Sequence, residues 1–180
     1  GMLSGKVLRS PYPHALIRKI DKEKAEKLQG VCAVLTWEDV PDWRGGTPRC
    51  KRVLDQKVRF VGDAVALVAA TSEEIADEAL RLIDVRYDVL PHVFDMEEAL
   101  KPGAAQLYEE FPGNVVTPGV PFFGPKSLKE VVMGDVDKGF AEADVITEGT
   151  YAYENIPNPL PPEAPGAIAL WEEPNKVTLW

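Results

Sequence analysis

Residues 58–89, VRFVGDAVALVAATSEEIADEALRLIDVRYDV, restrict the fold of this chain more than any other stretch, because their apolar period changes twice. VRFV and AVALVAAT are strand-like runs, joined tightly by Gly62-Asp63. Thr71 and Glu74 stand three apart, as in a capping box. The segment SEEIADEALRLI then brings Ile75, Ala76, Ala79, Leu80 and Ile83 to one face at helical spacing. IDVRYDVL returns to period two, with Val85, Tyr87 and Val89 on one side. Strand, helix and strand in such quick succession exclude a helical bundle and an all-β sandwich.

Residues 14–36 repeat the plan. ALIRKI alternates as a strand, Asp21 is placed to cap a helix over KEKAEKLQ, and Gly30 follows where a helix end wants a left-handed residue. VCAVLT is then a buried strand in which Cys32 acts as a small hydrophobe. Two such βαβ-like units give an α+β class with a mixed sheet. The long polar connection over 41–57 excludes a regular doubly wound nucleotide fold.

Beyond residue 110 the pattern changes. FPGNVVTPGVPFFGP, residues 111–125, is rich in proline and glycine and is expected to be a linker; NIPNPLPPEAPG, residues 155–166, is expected to be an extended crossing. LKEVVMG forms a strand, and GDVDKGFAEAD a turn with one helical turn. VITEGTYAYEN alternates with Val145, Thr147, Gly149, Tyr151 and Tyr153 on one face. GAIALWEE and KVTLW make a hairpin about EPN. The expected division is a first domain over 1–110, a linker over 111–127 and an incomplete second domain over 128–180. Trp180 falls inside a strand-like run, which suggests that a domain continues past it.

The formal net charge of −9, with no local Lys/Arg cluster, argues against nucleic acid and anionic membrane surfaces as partners. Cys32 and Cys50 form no metal-finger or redox spacing, and Cys50 lies in a polar loop as a free thiol. That usage fits a reducing compartment, and with no signal peptide or bilayer-length apolar run the cytoplasm is the expectation.

Candidate chemistry is sparse. His14 and His92 each adjoin a proline at a strand edge and lack a visible catalytic partner, so both are expected to be structural hydrogen-bonders. GDVDKG fails as a calcium loop. Counted from Asp135, its glycine falls at position five instead of six, and position twelve is Ile146 where a glutamate is needed. Asp135 and Asp137 are expected to serve the turn and cap. Gly45-Gly46 has no phosphate-loop spacing. Glu73 and Glu74 oppose an anion at the helix opening at Ser72. The adjacent acid pairs 97–98, 109–110 and 172–173 diverge and read as solvated surface. Glu163, inside the proline-rich crossing, either faces solvent or has a partner. No catalytic, cofactor-binding or metal-binding residue is assigned, and a stand-alone enzyme ranks last.

Four stretches in order resemble the start of the molybdenum-binding subunit of the xanthine dehydrogenase/aldehyde oxidase family: GMLSGKVLRSPYPHALIRKID, GVCAVLTWEDVP, VRFVGDAVALVAATSEEIADEALRLIDVRYDVLP and GDVDKGFAEADVITEGTY. The first three resemble that family's α/β hammerhead domain, the fourth the opening of its molybdopterin-binding domain. The resemblance implies that His14 is a scaffold histidine. It implies a parent subunit that hydroxylates an aldehyde or N-heterocycle with hydride transfer to molybdenum, and that passes electrons to iron–sulfur and flavin subunits or domains. The segment itself would be a non-catalytic scaffold that binds no molybdopterin, since the family's cofactor loops and catalytic glutamate come later. The sequence departs from the family before GAIAL. Glu163 aligns with the glutamate of a His-x-x-Leu/Met-Glu pattern, but Pro159 and Pro162 stand at the other two positions. The alternative is an independent non-catalytic module that binds a partner or assists assembly, with its uncovered β segments available for another chain or a second copy.

Overall fold

The computed structural model describes residues 1–41, 44–45, 51–115, 133–152, 162 and 166–180. It divides into two compact units, Gly1–Val131 and Val132–Trp180.

The first unit contains, in order, β1 (Ser4–Arg9), β2 (Ala15–Asp21), α1 (Glu23–Glu26), β3 (Val31–Leu35), β4 (Arg44–Gly45), β5 (Lys51–Arg52), β6 (Lys57–Val58), β7 (Ala64–Ala70), α2 (Glu73–Leu82), β8 (Asp84–Val89) and α3 (Met96–Ala99). Two three-stranded antiparallel sheets carry it, ordered β1-β7-β3 and β6-β2-β8; β4 and β5 form a separate short pair. Both strand–helix–strand units are present, but each links strands of different sheets. β2 and β3 flank α1 yet lie in separate sheets, and so do β7 and β8 on either side of α2. This weave fits the α+β hammerhead class and explains why the helices are short, since none has to span a parallel crossover.

β7 is the central strand, and its near-continuous apolar sequence reflects burial of both faces. Ala66, Val68 and Ala70 join a core with Ala25 of α1 and Ala76 and Ala79 of α2; Val65 joins a second core with Ala15, Ile17 and Val58. Small residues at 66, 70, 76 and 79 let helix and strand approach closely. Ile17, Val65 and Val68 are effectively sealed, each contributing about 1.5–3 kcal/mol of transfer free energy. The expected face of α2 is observed: Ala76, Ala79 and Ile83 are buried, with Ile75 and Leu80 packed beside them.

Local details differ from the sequence expectations in instructive ways. The cap of α2 is Ser72 and not Thr71, its hydroxyl accepting from the Ile75 N–H at 3.3 Å. Helix α1 covers only four residues, although Asp21 still accepts from the Glu23 N–H at 3.3 Å. Gly30 has the expected left-handed φ of 96°. VRFV does not form a hairpin with β7. Only Lys57–Val58 pairs, with β2, and the chain then turns. The Asp63 carboxylate takes up the Arg59 and Ala64 N–H groups at 3.1 and 3.0 Å, donors a hairpin ladder would have used. Cys32 is exposed, contrary to expectation. The register of β3 against β7 shifts between Val31 and Ala33, and this bulge turns Cys32 out of the alternation. Among apolar positions of β8, Val85 and Tyr87 are half-buried and Val89 is exposed.

Residues 111–115 fold back onto the first unit. Phe111 is buried, and the Asn114 amide donates to the Ala99 and Ala105 carbonyls at 3.0 Å each while its oxygen accepts from the Leu107 N–H at 3.1 Å.

In the second unit α4 (Val136–Glu142) runs two turns, one more than expected, and Asp135 caps it by accepting from the Lys138 N–H at 3.0 Å. Asp137 is exposed in its first turn. The strand expected over VITEGTYAYEN does not form across its described part, residues 145–152; alternation supplies two faces but no ladder partner. The expected hairpin is there, as β9 (Ala169–Glu173) and β10 (Lys176–Leu179), extended by reciprocal hydrogen bonds between Ile168 and Trp180. Its apolar residues Leu170, Trp171 and Leu179 are exposed. The first five residues of LKEVVMG, most of the proline-rich crossing with Pro159 and Glu163, and Cys50 and Gly46 lie outside the described residues.

Candidate functional site

Among the described residues of the first unit, four polar side chains are buried: Ser10, His14, Thr36 and Asp63. They fall in two knots at strand ends.

The first knot surrounds the 10–14 loop between β1 and β2. Ser10 exchanges backbone bonds with Gly62 and Asp63 at 2.8 Å each, and its hydroxyl accepts from the Tyr12 N–H at 3.0 Å. Tyr12 packs edge-on against Tyr87 at 5.1 Å between ring centroids. The loop thereby delivers His14 to the last strand: its carbonyl accepts from the Leu90 N–H at 2.9 Å, and its Nδ1 donates to the Pro91 carbonyl at 2.5 Å. That bond fixes the proton on Nδ1 of a neutral ring. Nε2 is buried and finds no hydrogen-bond partner among the described residues. Burial holds the His14 pKa below its ordinary value; the Pro91 carbonyl and Glu109 oppose this, while the nearby Lys57 and Arg59 cations reinforce it. A buried neutral ring whose one proton is committed to a backbone carbonyl is poorly placed to exchange protons with a substrate. His14 therefore ties β2 to the segment after β8, as the sequence suggests. His92, by contrast, is exposed and lies edge-on to Phe94 at 5.0 Å.

In the second knot, Asp39 Oδ2 accepts from the Thr36 N–H at 2.8 Å, the Thr36 hydroxyl at 2.9 Å and Lys22 Nζ at 2.8 Å. The Lys22 bond and the Thr36 N–H hold the Asp39 carboxyl below its ordinary value. Lys22 also donates to the Val34 carbonyl at 3.0 Å, locking α1 to the end of β3. These donors and acceptors are spent within the fold.

A third cluster was invisible to motif reading. Lys57 and Arg59, on β6 and just after it, reach Glu109 at 2.7 and 3.6 Å, and Arg59 also pairs with Asp55 at 2.8 Å. The Arg59 guanidinium lies over the Tyr108 ring at 4.8 Å. Glu109 is thus one member of an adjacent acid pair that has found cations some 50 residues away, which adjacent-residue reasoning could not reveal.

The remaining candidates do not converge. Gly45 sits in β4, Ser72 is occupied as a cap, and Glu73 pairs with Lys6 at 3.2 Å. Glu98 and Glu172 form local ion pairs with Lys101 and Lys176. Among the described residues no group of three or more His, Cys, Asp or Glu comes together, and no helix is long and apolar enough to cross a membrane. The described groove of the second unit is lined by Val136, Phe140, Val145 and Ile146, with the Thr147 hydroxyl its one polar side chain. A molybdopterin group, with its phosphate and heteroatom-rich ring, needs several converging donors, so this groove as described does not fit it.

Comparison with known proteins places these features in context. A family model described as "Aldehyde oxidase and xanthine dehydrogenase, a/b hammerhead domain" matches residues 1–91. The chain is 41% identical to a probable xanthine dehydrogenase component of Bacillus subtilis, across 100% of this chain and 23% of that protein. It is 34% identical to the nicotinate dehydrogenase large molybdopterin subunit of Eubacterium barkeri, across 86% of this chain and 34% of the relative. The crystal structure of a Cu,Mo-CO dehydrogenase in its carbon monoxide reduced state superposes with a TM-score of 0.63 at 33% identity, covering 81% of this chain and 19% of that one. The chain thus spans between about a fifth and a third of the length of these relatives. With the hammerhead model matched over half its length, on a unit that has the corresponding woven antiparallel architecture, the chain belongs to the aldehyde oxidase and xanthine dehydrogenase family of molybdenum hydroxylases.

Proposed function

We propose that this chain is the N-terminal scaffold portion of a molybdenum hydroxylase subunit. In this reading residues 1–110 are the hammerhead domain, 111–127 connect, and 128–180 begin the molybdopterin-binding domain. The parent subunit oxidatively hydroxylates an aldehyde or N-heterocycle in the cytoplasm and hands electrons to iron–sulfur and flavin subunits or domains. Molybdopterin supplies that redox chemistry; the present residues supply a rigid body and surfaces for the rest of the subunit.

The observation that carries this reading is the hammerhead match over 1–91, falling on a unit in which buried Ser10, His14 Nδ1 and Asp63 bond to its own backbone. No reactive side chain is assigned to it. The exposed apolar hairpin of the second unit supports the same reading, because a lone two-stranded ribbon is marginal in water and gains stability when covered.

The test is to express the 180-residue chain in a host that makes molybdopterin. Bound molybdenum is then measured by elemental analysis, and dye reduction is assayed with a panel of aldehydes and N-heterocycles. The expected result is neither metal nor turnover. Stoichiometric molybdenum, or turnover above a heat-treated control, refutes the scaffold reading. The mass of the native polypeptide bearing VRFVGDAVALVAATSEEIADE decides between the two roles weighed from the sequence: several times 180 residues for a hydroxylase subunit, about 180 for an independent module.

A further inference from the structure

We propose that the outer edge of β8 recognises itself: a second copy of this chain adds its own β8 there, antiparallel, about a two-fold axis through Tyr87.

β8 is the last strand of the sheet β6-β2-β8, and among the described residues its backbone bonds only to β2. The Leu90 N–H donates to the His14 carbonyl at 2.9 Å, which fixes the alternation of the strand before it. The backbone groups of Arg86 and Asp88 therefore point at β2, and those of Val85, Tyr87 and Val89 point outward. Such a row of unpaired donors and acceptors is a template for another strand. The other edges are less suited. The Val34 carbonyl of β3 is taken by Lys22 Nζ, and β6 spans only Lys57–Val58. The charges of β1, Lys6 and Arg9, are both positive, so two copies of it repel.

The side chains of β8 select the occupant. Asp84, Arg86 and Asp88 are exposed on one face; Val85 and Tyr87 pack toward the core from the other, where Val89 is exposed. Charges at alternate positions usually guard an edge against pairing. Here they oppose one register and favour another. The longest antiparallel overlaps of β8 with itself are centred on Arg86 or on Tyr87. Centred on Arg86, that residue faces its own copy and Asp84 faces Asp88, so every charged pair is repulsive. Centred on Tyr87, Arg86 faces Asp88 on both sides of the axis, and Val85 faces the exposed Val89. In this register the outward groups of Val85, Tyr87 and Val89 also meet as hydrogen-bonded pairs. Arg86 lacks a counter-charge in its own sheet: it lies opposite Lys19, and among the described residues it has no ion pair. Asp88 can supply one across the axis, since Arg18 engages its Oδ2 and leaves Oδ1. The two sheets then become one continuous sheet. The pairing does not rest on the chemistry of the parent subunit.

Sedimentation velocity and native-state hydrogen exchange of the full chain test this, between about 10 µM and about 1 mM because a short strand seam is a weak interface. The expected result is a monomer–dimer equilibrium in which the Val85, Tyr87 and Val89 amides exchange about tenfold more slowly at high concentration. Those of Arg86 and Asp88, which point at β2, do not change. Arg86→Glu or Asp88→Lys alone sets like charges opposite one another and is expected to weaken the dimer about tenfold or more. An equimolar mixture of the two variants restores it, because in the mixed dimer each introduced charge faces its opposite. Both side chains are exposed, so the fold tolerates the changes; should a variant unfold, the amide pattern of the parent chain decides. A chain that stays monomeric throughout, a dimer that leaves the outward amides of β8 unprotected, or a mixture no tighter than its parts overturns the proposal.

Discussion

Replacing Gly30 by alanine probes how closely the end of α1 approaches the start of α2. Gly30 has φ 96°, and a Cβ built there lies 2.7 Å from Ile75 Cδ1 and 2.8 Å from Thr71 Oγ1. The same glycine accepts the Thr71 N–H at 2.9 Å through its carbonyl, so the backbone has little room to retreat. A left-handed alanine costs about 1–2 kcal/mol, and forcing a methyl into an occupied space costs about 1–3 kcal/mol more. The lower entropy of unfolded alanine returns about 0.4–1 kcal/mol. The net expectation for Gly30→Ala is a loss of about 2–4 kcal/mol. Gly62→Ala is the matched control. Its φ is 90°, but nothing lies within 4 Å of the built Cβ, so only the backbone cost applies and the loss is about 1 kcal/mol. Urea unfolding followed by far-UV circular dichroism separates them: with a slope of about 1–3 kcal/mol per molar, the two midpoints differ by roughly 0.5–2 M. Equal midpoints for the two variants would refute the packing argument and leave backbone geometry as the whole effect.

Three further expectations rest on the polar knots and the bulge. Because His14 has a lowered pKa when folded, its unfolded form takes up protons first; stability is full above about pH 6.5 and falls as pH drops through that value toward the folded pKa, a slope that His14→Phe removes from pH-dependent urea titrations. Asp39→Ala strips two bonds from buried Thr36 and is expected to cost about 2–3 kcal/mol; in the wild type the contribution of the carboxylate is lost only as pH falls through its lowered folded pKa, measured by acid unfolding of variant against parent. Cys32, exposed on its bulge, is expected to react with a thiol reagent in the folded state without unfolding, and Cys32→Ser to change stability by less than about 0.5 kcal/mol; slow, unfolding-limited labelling would contradict the observed bulge.

Much of the scaffold is legible in residue order because it depends on local physics. The 3.6-residue period of SEEIADEALRLI marks the α2 face, Asp135 precedes a helix and caps it, EPN turns a hairpin, and Gly30 stands where only a left-handed residue fits. His14, flanked by Pro13 and seated before an alternating strand, is found in a structural bond, in keeping with its position. The first three motif stretches, taken in order, point to the hammerhead domain, and the family model of that domain matches residues 1–91.

What residue order alone did not determine is who neighbours whom. Period two states that a strand has two faces but not which strand lies beside it, so VRFV suggested a hairpin with the run that follows and instead pairs briefly with β2. VITEGTYAYEN has the same alternation, yet over its described residues 145–152 no ladder forms. Cys32 belongs to an apolar run, yet one inserted residue in the register against β7 turns it to solvent. Lys57, Arg59 and Glu109 are ordinary surface charges in the sequence, and become an ion-pair cluster only because β6 and the segment around Glu109 are brought together across some 50 residues. Local energies of turning, capping and burying one face are encoded residue by residue; pairing and charge contact are properties of distances that exist only once both sheets have formed.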